Sequence, residues 1–384
     1  MNWLIPLPVV LPLLGAALCL ILTGREHLQR AVSLTALSGA LAAAGALLWI
    51  TQREGMHAVV LAGWPAELGI ALVADKLSAL LLVISSIVTL AVMLFAIGQG
   101  LAGGDDSAPV SVFHPTYLVL AAGVSNAFLA GDLFNLFVGF EMLLVASYVL
   151  LTVGGTLARV RSGMTYVVVS LLSSMLFLTG IALVYAAAGT LNMGHLHLRL
   201  SEIPSGTAWA IQLVLLLAFG IKAAMFPLSA WLPDSYPTAS APVTALFAGL
   251  LTKVGVYAII RMQTLLFSEN SFTLLLLSIG ILTMLIGILG AIAQNDVKRM
   301  VSFTLVSHIG YMIFGIGLAS RVGLGATIFY AVHHITVQTT LFLAVGLIER
   351  QAGTTDMDRL GGLAKASPLL AVLFFVPAMS LSGI

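Results

Sequence analysis

Apolar runs of about 20 residues recur along this chain, each long enough to cross a bilayer as a helix. They lie near 3–22, 28–50, 75–98, 112–130, 132–153, 164–188, 208–230, 242–262, 271–292, 298–319 and 322–348. A twelfth starts near 367 and reaches Ile384. A bilayer core holds no water to satisfy an exposed N–H or C=O, so such runs form helices. The pattern predicts an all-α polytopic membrane protein with about eleven complete transmembrane helices and the start of another. Residues 1–22 carry neither a positively charged start nor a small-residue cleavage site, so they read as a first span rather than a removed signal peptide.

The runs also repeat. At an interval of 164 residues Asp132 meets Asp296, Tyr166 meets Tyr330 and Val168 meets Val332. Gly189, Thr190 and Met193 meet Gly353, Thr354 and Met357. The matched runs are five helices apart, an odd number, so two copies would cross the membrane in opposite directions. Inverted repeats of this kind build many transporters, with the ion site near the midplane. The organisation expected is residues 1–111 as helices 1–3, 112–262 as a first five-helix unit, and 271–384 as the second, inverted unit with helices 9–12.

Composition narrows the class. The chain is 60% hydrophobic and 8% charged, with a mean hydropathy of +1.10. A soluble fold of this length has too little interior for that much apolar surface. A net charge of +1 gives no basic footprint for nucleic acid. The single cysteine, Cys19, lies in an apolar run, which excludes a disulfide framework and a thiolate metal site. No cofactor is expected, and no nucleotide-binding glycine pattern occurs. Arg25, Arg30, Arg159, Arg161, Lys298, Arg299, Arg350, Arg359 and Lys365 fall on one side of the predicted spans. Arg53, Lys76, Arg199, Arg261 and Arg321 fall on the other, so the first side is expected in the cytoplasm and the N-terminus outside. The polar stretch 103–111 and the stretch 189–205, with His195, His197 and Arg199, read as surface connections.

Within these runs stand a few ionisable residues, which are costly in a membrane and usually functional. Glu141 lies in the middle of the run 132–153. Beside a lysine it stays ionised, and alone it becomes neutral, so it can take up and release a proton as its partner moves. The competing reading is a structural ion pair. Asp132 opens the same helix and complements its positive end. Lys222 precedes Pro227 by five positions, and Pro233, Pro237 and Pro242 follow, so this span is expected to be broken around Lys222–Pro227. Broken helices at membrane depth mark ion sites, and a desolvated lysine loses basicity. Lys253 sits mid-span, and two lysines facing one glutamate suggest groups that share protons. His308, His333 and His334 are also mid-membrane and titrate near neutral pH. His334 and Gln338 are four apart on one helix face. His333 and His334 point in different directions, so one of the two is expected to line a path. A satisfied hydrogen-bonding role competes for each histidine, and no metal motif is present.

The segments ADKLSALLL (74–82), GDLFNLFVGFE (131–141), FGIKAAMFPLSAWLPDSYPTASAPVTALFAGLLTKVGVY (219–257) and NDVKRMVSFTLVSHIGYM (295–312) resemble the proton-translocating subunits shared by multi-subunit Mrp-type cation/proton antiporters and respiratory complex I. The resemblance covers nearly the whole chain. It implies an inverted-repeat core in which Glu141 matches the glutamate of the fifth helix, Lys222 the lysine of the broken seventh and Lys253 the lysine of the eighth. Many relatives carry a lysine in the eleventh helix where this chain has Gln338, which holds no charge. A second broken helix would begin near SLSGI (380–384). The function implied is a proton- and cation-translocating subunit of a Na⁺(cation)/H⁺ antiporter, a transporter component rather than an enzyme, in the cell membrane. Its partners would be other membrane subunits, lipid, protons and Na⁺ or another monovalent cation. A proton-pumping subunit of a redox-driven complex, such as complex I or a membrane-bound hydrogenase, remains the alternative, and a scaffold with locking charges is a third reading.

Overall fold

The computed structural model describes residues 2–67, 69–100, 110–267 and 272–383. Of the polar connection at 103–111, residues 103–109 lie outside the described residues, as does Ile384. The protein is an all-α polytopic membrane protein. Ten helices among the described residues are long and apolar enough to cross a membrane.

The chain opens with α1 (Leu7–Ile21) and α2 (Glu26–Glu54). At 15 residues, α1 is shorter than the expected first span. A hairpin that the apolar pattern did not predict follows, β1 (His57–Val60) paired antiparallel with β2 (Ala71–Ala74). Asp75 then caps α3 (Lys76–Gly98), accepting from the Ser78 N–H, while the Ser78 hydroxyl accepts from the Asp75 N–H. Next come α4 (Val110–Leu129), α5 (Leu133–Thr152) and α6 (Leu157–Ala188). The stretch expected as a connection at 189–205 contains a short helix, α7 (Met193–Arg199).

The run at 208–230 does not continue as one helix. α8 (Ser205–Ala223) stops at Ala224, which has φ 59°. The chain then passes the cis Phe226–Pro227 bond, α9 (Trp231–Ser235) and a 3₁₀ turn at Tyr236–Thr238. The break falls at the expected place. Its loose carbonyls find partners: the Met225 N–H donates to Gly220 O at 3.1 Å, and the Trp231 indole to Ile221 O at 3.2 Å.

The eighth predicted span is built from α10 (Ala241–Leu246), a π turn (Phe247–Leu251), α11 (Thr252–Arg261) and a second π turn (Met262–Leu266). Periodicity alone cannot announce a π turn, which wins only when tertiary packing rewards the extra residue. Then come α12 (Thr273–Ile292), α13 (Val297–Gly317) and α14 (Arg321–Ala352). The short α15 (Leu363–Ala366) precedes α16 (Pro368–Leu381), the start of the twelfth run. Helices α12 and α13 pack closely because Gly287 and Gly310 lie where a Cβ would stand 2.3 and 2.5 Å from the partner helix's backbone.

Local structure recurs at the 164-residue interval. α6 and α14 are each 32 residues long and end on left-handed glycines, Gly189 and Gly353. Asp132 caps α5 through the Asn135 N–H, and Asp296 caps α13 through the Arg299 N–H. Isolated backbone bridges join Asp132 to Asn192 and Asp296 to Asp356. The Leu133 N–H donates to Leu191 O, and the Val297 N–H to Thr355 O, both at 3.0 Å.

Several of the cationic residues are tied down at the helix ends. At one end Arg159 donates to Thr238 O, Arg299 pairs with Asp234, and Arg350 reaches Gln99 O. At the other, both terminal nitrogens of Arg261 lie 2.7 Å from the Asp75 carboxylate, and His197 bonds to Leu265 O.

Candidate functional site

α5, α6 and α8 bring three polar side chains together in an otherwise apolar interior. Lys222, near the end of α8, is buried, and its Nζ donates to Ser174 Oγ of α6 at 3.1 Å. Ser174 in turn donates to Glu141 Oε1 of α5. The sequence raised an ion pair between Glu141 and a lysine as one reading. Instead a hydroxyl stands between them, and no salt bridge joins the two. The directions are consistent: an ammonium has only donors, a carboxylate only acceptors, and a serine has one proton to give and lone pairs to accept with.

The surroundings hold this row in place. Lys222 Nζ makes a second, longer hydrogen bond to Ser170 O at 3.4 Å and lies 5.7 Å from the centre of the Phe140 ring. Phe140, Phe177 and Phe219 pack against one another on one flank. The neighbouring Ser173 donates to Ala218 O at 2.8 Å, tying α6 to α8. α11 crosses α8 so closely that a Cβ on Gly255 would stand 2.6 Å from Ala223 N, one residue from Lys222. Pro227 lies beyond the end of α8, in the turn that closes the break.

Lys253, at the start of α11, is 1% exposed and has no carboxylate within ion-pair distance among the described residues. Its Nζ donates to Ala248 O at 2.6 Å, a carbonyl of the π turn just before it. The widened turn therefore supplies the acceptor that a buried ammonium needs.

His308, His334 and Tyr330 form a second group between α13 and α14. The His308 and His334 rings lie 5.2 Å apart, and His308 Nδ1 bonds to the Tyr330 hydroxyl. His334 is fully buried with neither ring nitrogen partnered among the described residues. His333 points elsewhere and bonds to Ser380 of α16 at 2.9 Å. Gln338 Nε2 donates to Val301 O at 2.9 Å, which leaves its Oε1 without a partner there.

Ser174 was missed in the sequence because hydroxyls in helices usually bond their own backbone. A signal exists: Ser162, Tyr166, Ser170 and Ser174 recur every fourth residue and mark one polar stripe on α6. The 164-residue interval carries Tyr166, Ser170 and Ser174 onto Tyr330, His334 and Gln338. At that interval Gln338 stands opposite the bridging serine in the sequence, and His334 opposite Ser170.

A family model described as NADH:quinone oxidoreductase/Mrp antiporter, TM matches residues 130–384. The chain belongs to this family. Among its members, the D-type Na(+)/H(+) antiporter subunit of Alkalihalophilus pseudofirmus is 40% identical over 388 residues, spanning 100% of this chain and 78% of that protein. The protein of the same name from Bacillus subtilis is 37% identical over 387 residues, again with 100% and 78% coverage. The fold is similar to a chain of the Mrp complex from Dietzia sp., with a TM-score of 0.93, 36% identity, and 100% and 72% of the two chains covered. It is also similar to a chain of the membrane-bound sulfane sulfur reductase, an archaeal respiratory membrane complex, with a TM-score of 0.92, 27% identity, and 98% and 78% coverage.

Proposed function

We propose that this chain is the D-type membrane component of a multi-subunit cation/proton antiporter, and that it relays protons through Lys222, Ser174 and Glu141. The names of its relatives support the transporter class. The observation that carries the relay is the one-directional row in which Lys222 donates to Ser174 and Ser174 donates to Glu141. Shifting one proton along each bond leaves a neutral amine, an intact serine and a neutral carboxylic acid. Two opposite charges, one buried on Lys222 and one half-buried on Glu141, disappear together, so the low-dielectric interior does not oppose the step. A positive charge arriving on the Lys253 side of Lys222 pushes the proton towards Glu141, and its departure draws the proton back. Lys253, His334 and His308 continue the path, with Gln338 in the place of the bridging hydroxyl.

In this reading the units at 112–262 and 271–384 are inverted copies, and the 164-residue recurrence of caps, bridges and helix lengths supports that arrangement. The cation exchanged is Na⁺ or another monovalent ion. The chain sits in the plasma membrane beside other subunits, with its N-terminus outside and the end bearing Arg159 and Arg299 in the cytoplasm.

The test uses everted vesicles from antiporter-deficient cells that express the complete operon. A pH gradient is set, Na⁺ is added, and a fluorescent dye follows its collapse. Wild type collapses the gradient, and Glu141→Ala, assembled to the wild-type level, does not. Unchanged transport in assembled Glu141→Ala and Lys222→Ala complexes rejects the relay. A wild-type complex that ignores Na⁺ moves the reading to a redox-driven pump, which the likeness to the archaeal respiratory complex favours.

A further inference from the structure

Lys222 borders a cavity of about 10 Å³, also lined by Ser170 and Tyr166 of α6 and by Tyr236 of the 3₁₀ turn after the break. A space of about 10–15 Å³ holds one water when two to four polar groups face it. The polar groups are present. An ammonium has three donors, and the two bonds to Ser174 and Ser170 leave Lys222 one more. The Tyr236 hydroxyl is fully buried and has no partner among the described residues. A buried hydroxyl left unpaired is rare enough to need an explanation. Tyr166 is held by Ser147 at 2.9 Å, so its hydroxyl is fixed in direction rather than free.

The same turn leads outward. The Asp234 side chain is 59% exposed, whereas the next two residues, Ser235 and Tyr236, are fully buried. The Ser235 hydroxyl also lacks a partner among the described residues. One residue of chain, Ser235, therefore separates an exposed carboxylate from the hydroxyl beside Lys222. The end of α8 makes this short reach possible, because an unbroken helix would have carried its own apolar side chains through this depth.

From this geometry we infer that the cavity is a single-water site, and that Tyr236 with this water delivers protons to Lys222 from the face bearing Asp234. The water accepts from Lys222 Nζ when the amine is charged and donates to it when it is neutral. In delivery, Tyr236 gives its hydroxyl proton to the water as it takes one from the Ser235 side. The water passes one to the Lys222 nitrogen, so tyrosine and water end as they began and the amine gains one proton. The titratable groups around the cavity are Tyr166 on α6, Lys222 on α8 and Tyr236 itself. Glu141 lies behind Ser174. The inference rests on the relay reading, and Tyr236 acts in it as a proton carrier.

Tyr236→Phe is the test, since the ring keeps its contacts with Trp231 and Phe247 while the hydroxyl goes. Tyr117→Phe, which removes a buried hydroxyl bonded to Thr89 O, controls for loss of a hydroxyl in general. Gradient collapse is measured in assembled complexes across pH, alongside a cryo-electron microscopy map fine enough to place waters. The expected result is a loss of about tenfold in rate for Tyr236→Phe. That deficit narrows as the delivering side is acidified, the Tyr117→Phe rate stays at the wild-type level, and a density peak lies within hydrogen-bonding reach of Lys222 Nζ and the Tyr236 hydroxyl. A Tyr236→Phe rate and pH profile matching wild type overturn the inference, as does a map in which the cavity is dry. If the wild-type complex shows no antiport, the antiporter reading fails on that assay, while the density peak or its absence still decides the water site.

Discussion

Replacing Gly255 by alanine tests the geometry on which the relay depends without touching any of its polar groups. The added Cβ would stand 2.6 Å from Ala223 N and 3.0 Å from the carbonyl carbon of Lys222. These are backbone atoms, so no side chain can swing aside. Ordinary contact lies near ~3.5 Å, so α11 and α8 must part by about 1 Å. Overpacking of this kind costs about 1–3 kcal/mol, which a helix bundle of this size tolerates. The relay is less forgiving. Lys222 Nζ is 3.1 Å from Ser174 Oγ and 3.4 Å from Ser170 O, so a shift of this size in the α8 backbone disturbs both hydrogen bonds. A misplacement of about 1 Å at a reacting centre can cost about a hundredfold in rate. The assay is gradient collapse in vesicles, normalised to complex assembled in the membrane. Gly255→Ala is expected at wild-type assembly with transport reduced at least about tenfold. An assembled Gly255→Ala complex with wild-type transport would refute the claim that the α8–α11 approach sets the position of Lys222.

Two further outcomes follow. Ser174→Ala removes the hydroxyl joining Lys222 to Glu141, and in assembled vesicles it is expected to cut transport about as severely as Glu141→Ala; Ser174→Thr, which keeps the hydroxyl, should retain a measurable part of it. Asp75 lies outside the span that it caps, and its stability effect is pH-dependent. Burial pushes its carboxyl up, but the hydrogen bonds and charge of Arg261, with the Ser78 N–H and hydroxyl, outweigh burial and hold it below the ordinary carboxylate range. A carboxyl lowered in the folded state stabilises above its unfolded pKa and loses that contribution as pH falls through the folded value. Asp75→Asn is therefore expected to lower stability by about 1.5–3 kcal/mol at neutral pH, and thermal unfolding in detergent should show the gap to wild type closing in acid. A gap that persists unchanged at low pH would count against the Asp75–Arg261 pair as its source.

Much of this protein is legible in one dimension because the bilayer imposes one-dimensional rules. A run of apolar residues must become a helix, since its backbone has no other partner in lipid, and the runs around 132–153, 298–319 and 322–348 did so within a few residues for α5 and α13. α14 runs somewhat further than its apolar stretch, from the Ser320 cap to the left-handed Gly353. The cost of burying charge drew attention to Glu141, Lys222 and Lys253 before any contact was known, and the prolines after Lys222 announced the break. The spacing of Gly189 and Gly353 pointed to two related units, and both glycines end a 32-residue helix in the left-handed conformation.

Tertiary structure decided which groups meet. Nothing in the runs says that Ser174 stands between Glu141 and Lys222, because the three lie on different helices and their approach depends on packing angles. The π turn that gives Lys253 a carbonyl, the hairpin before α3 and the Asp75–Arg261 pair are likewise products of long-range contact. So is the pairing of His308 with His334, which the sequence leaves merely scattered. Hydropathy placed apolar helices such as α5 and α13 to within a few residues, since each helix satisfies its own backbone, whereas the π turns of the eighth run depend on packing. The proton-bearing groups belong to the spaces between helices, and those spaces exist only once close approaches such as Gly255 against Ala223 have been made.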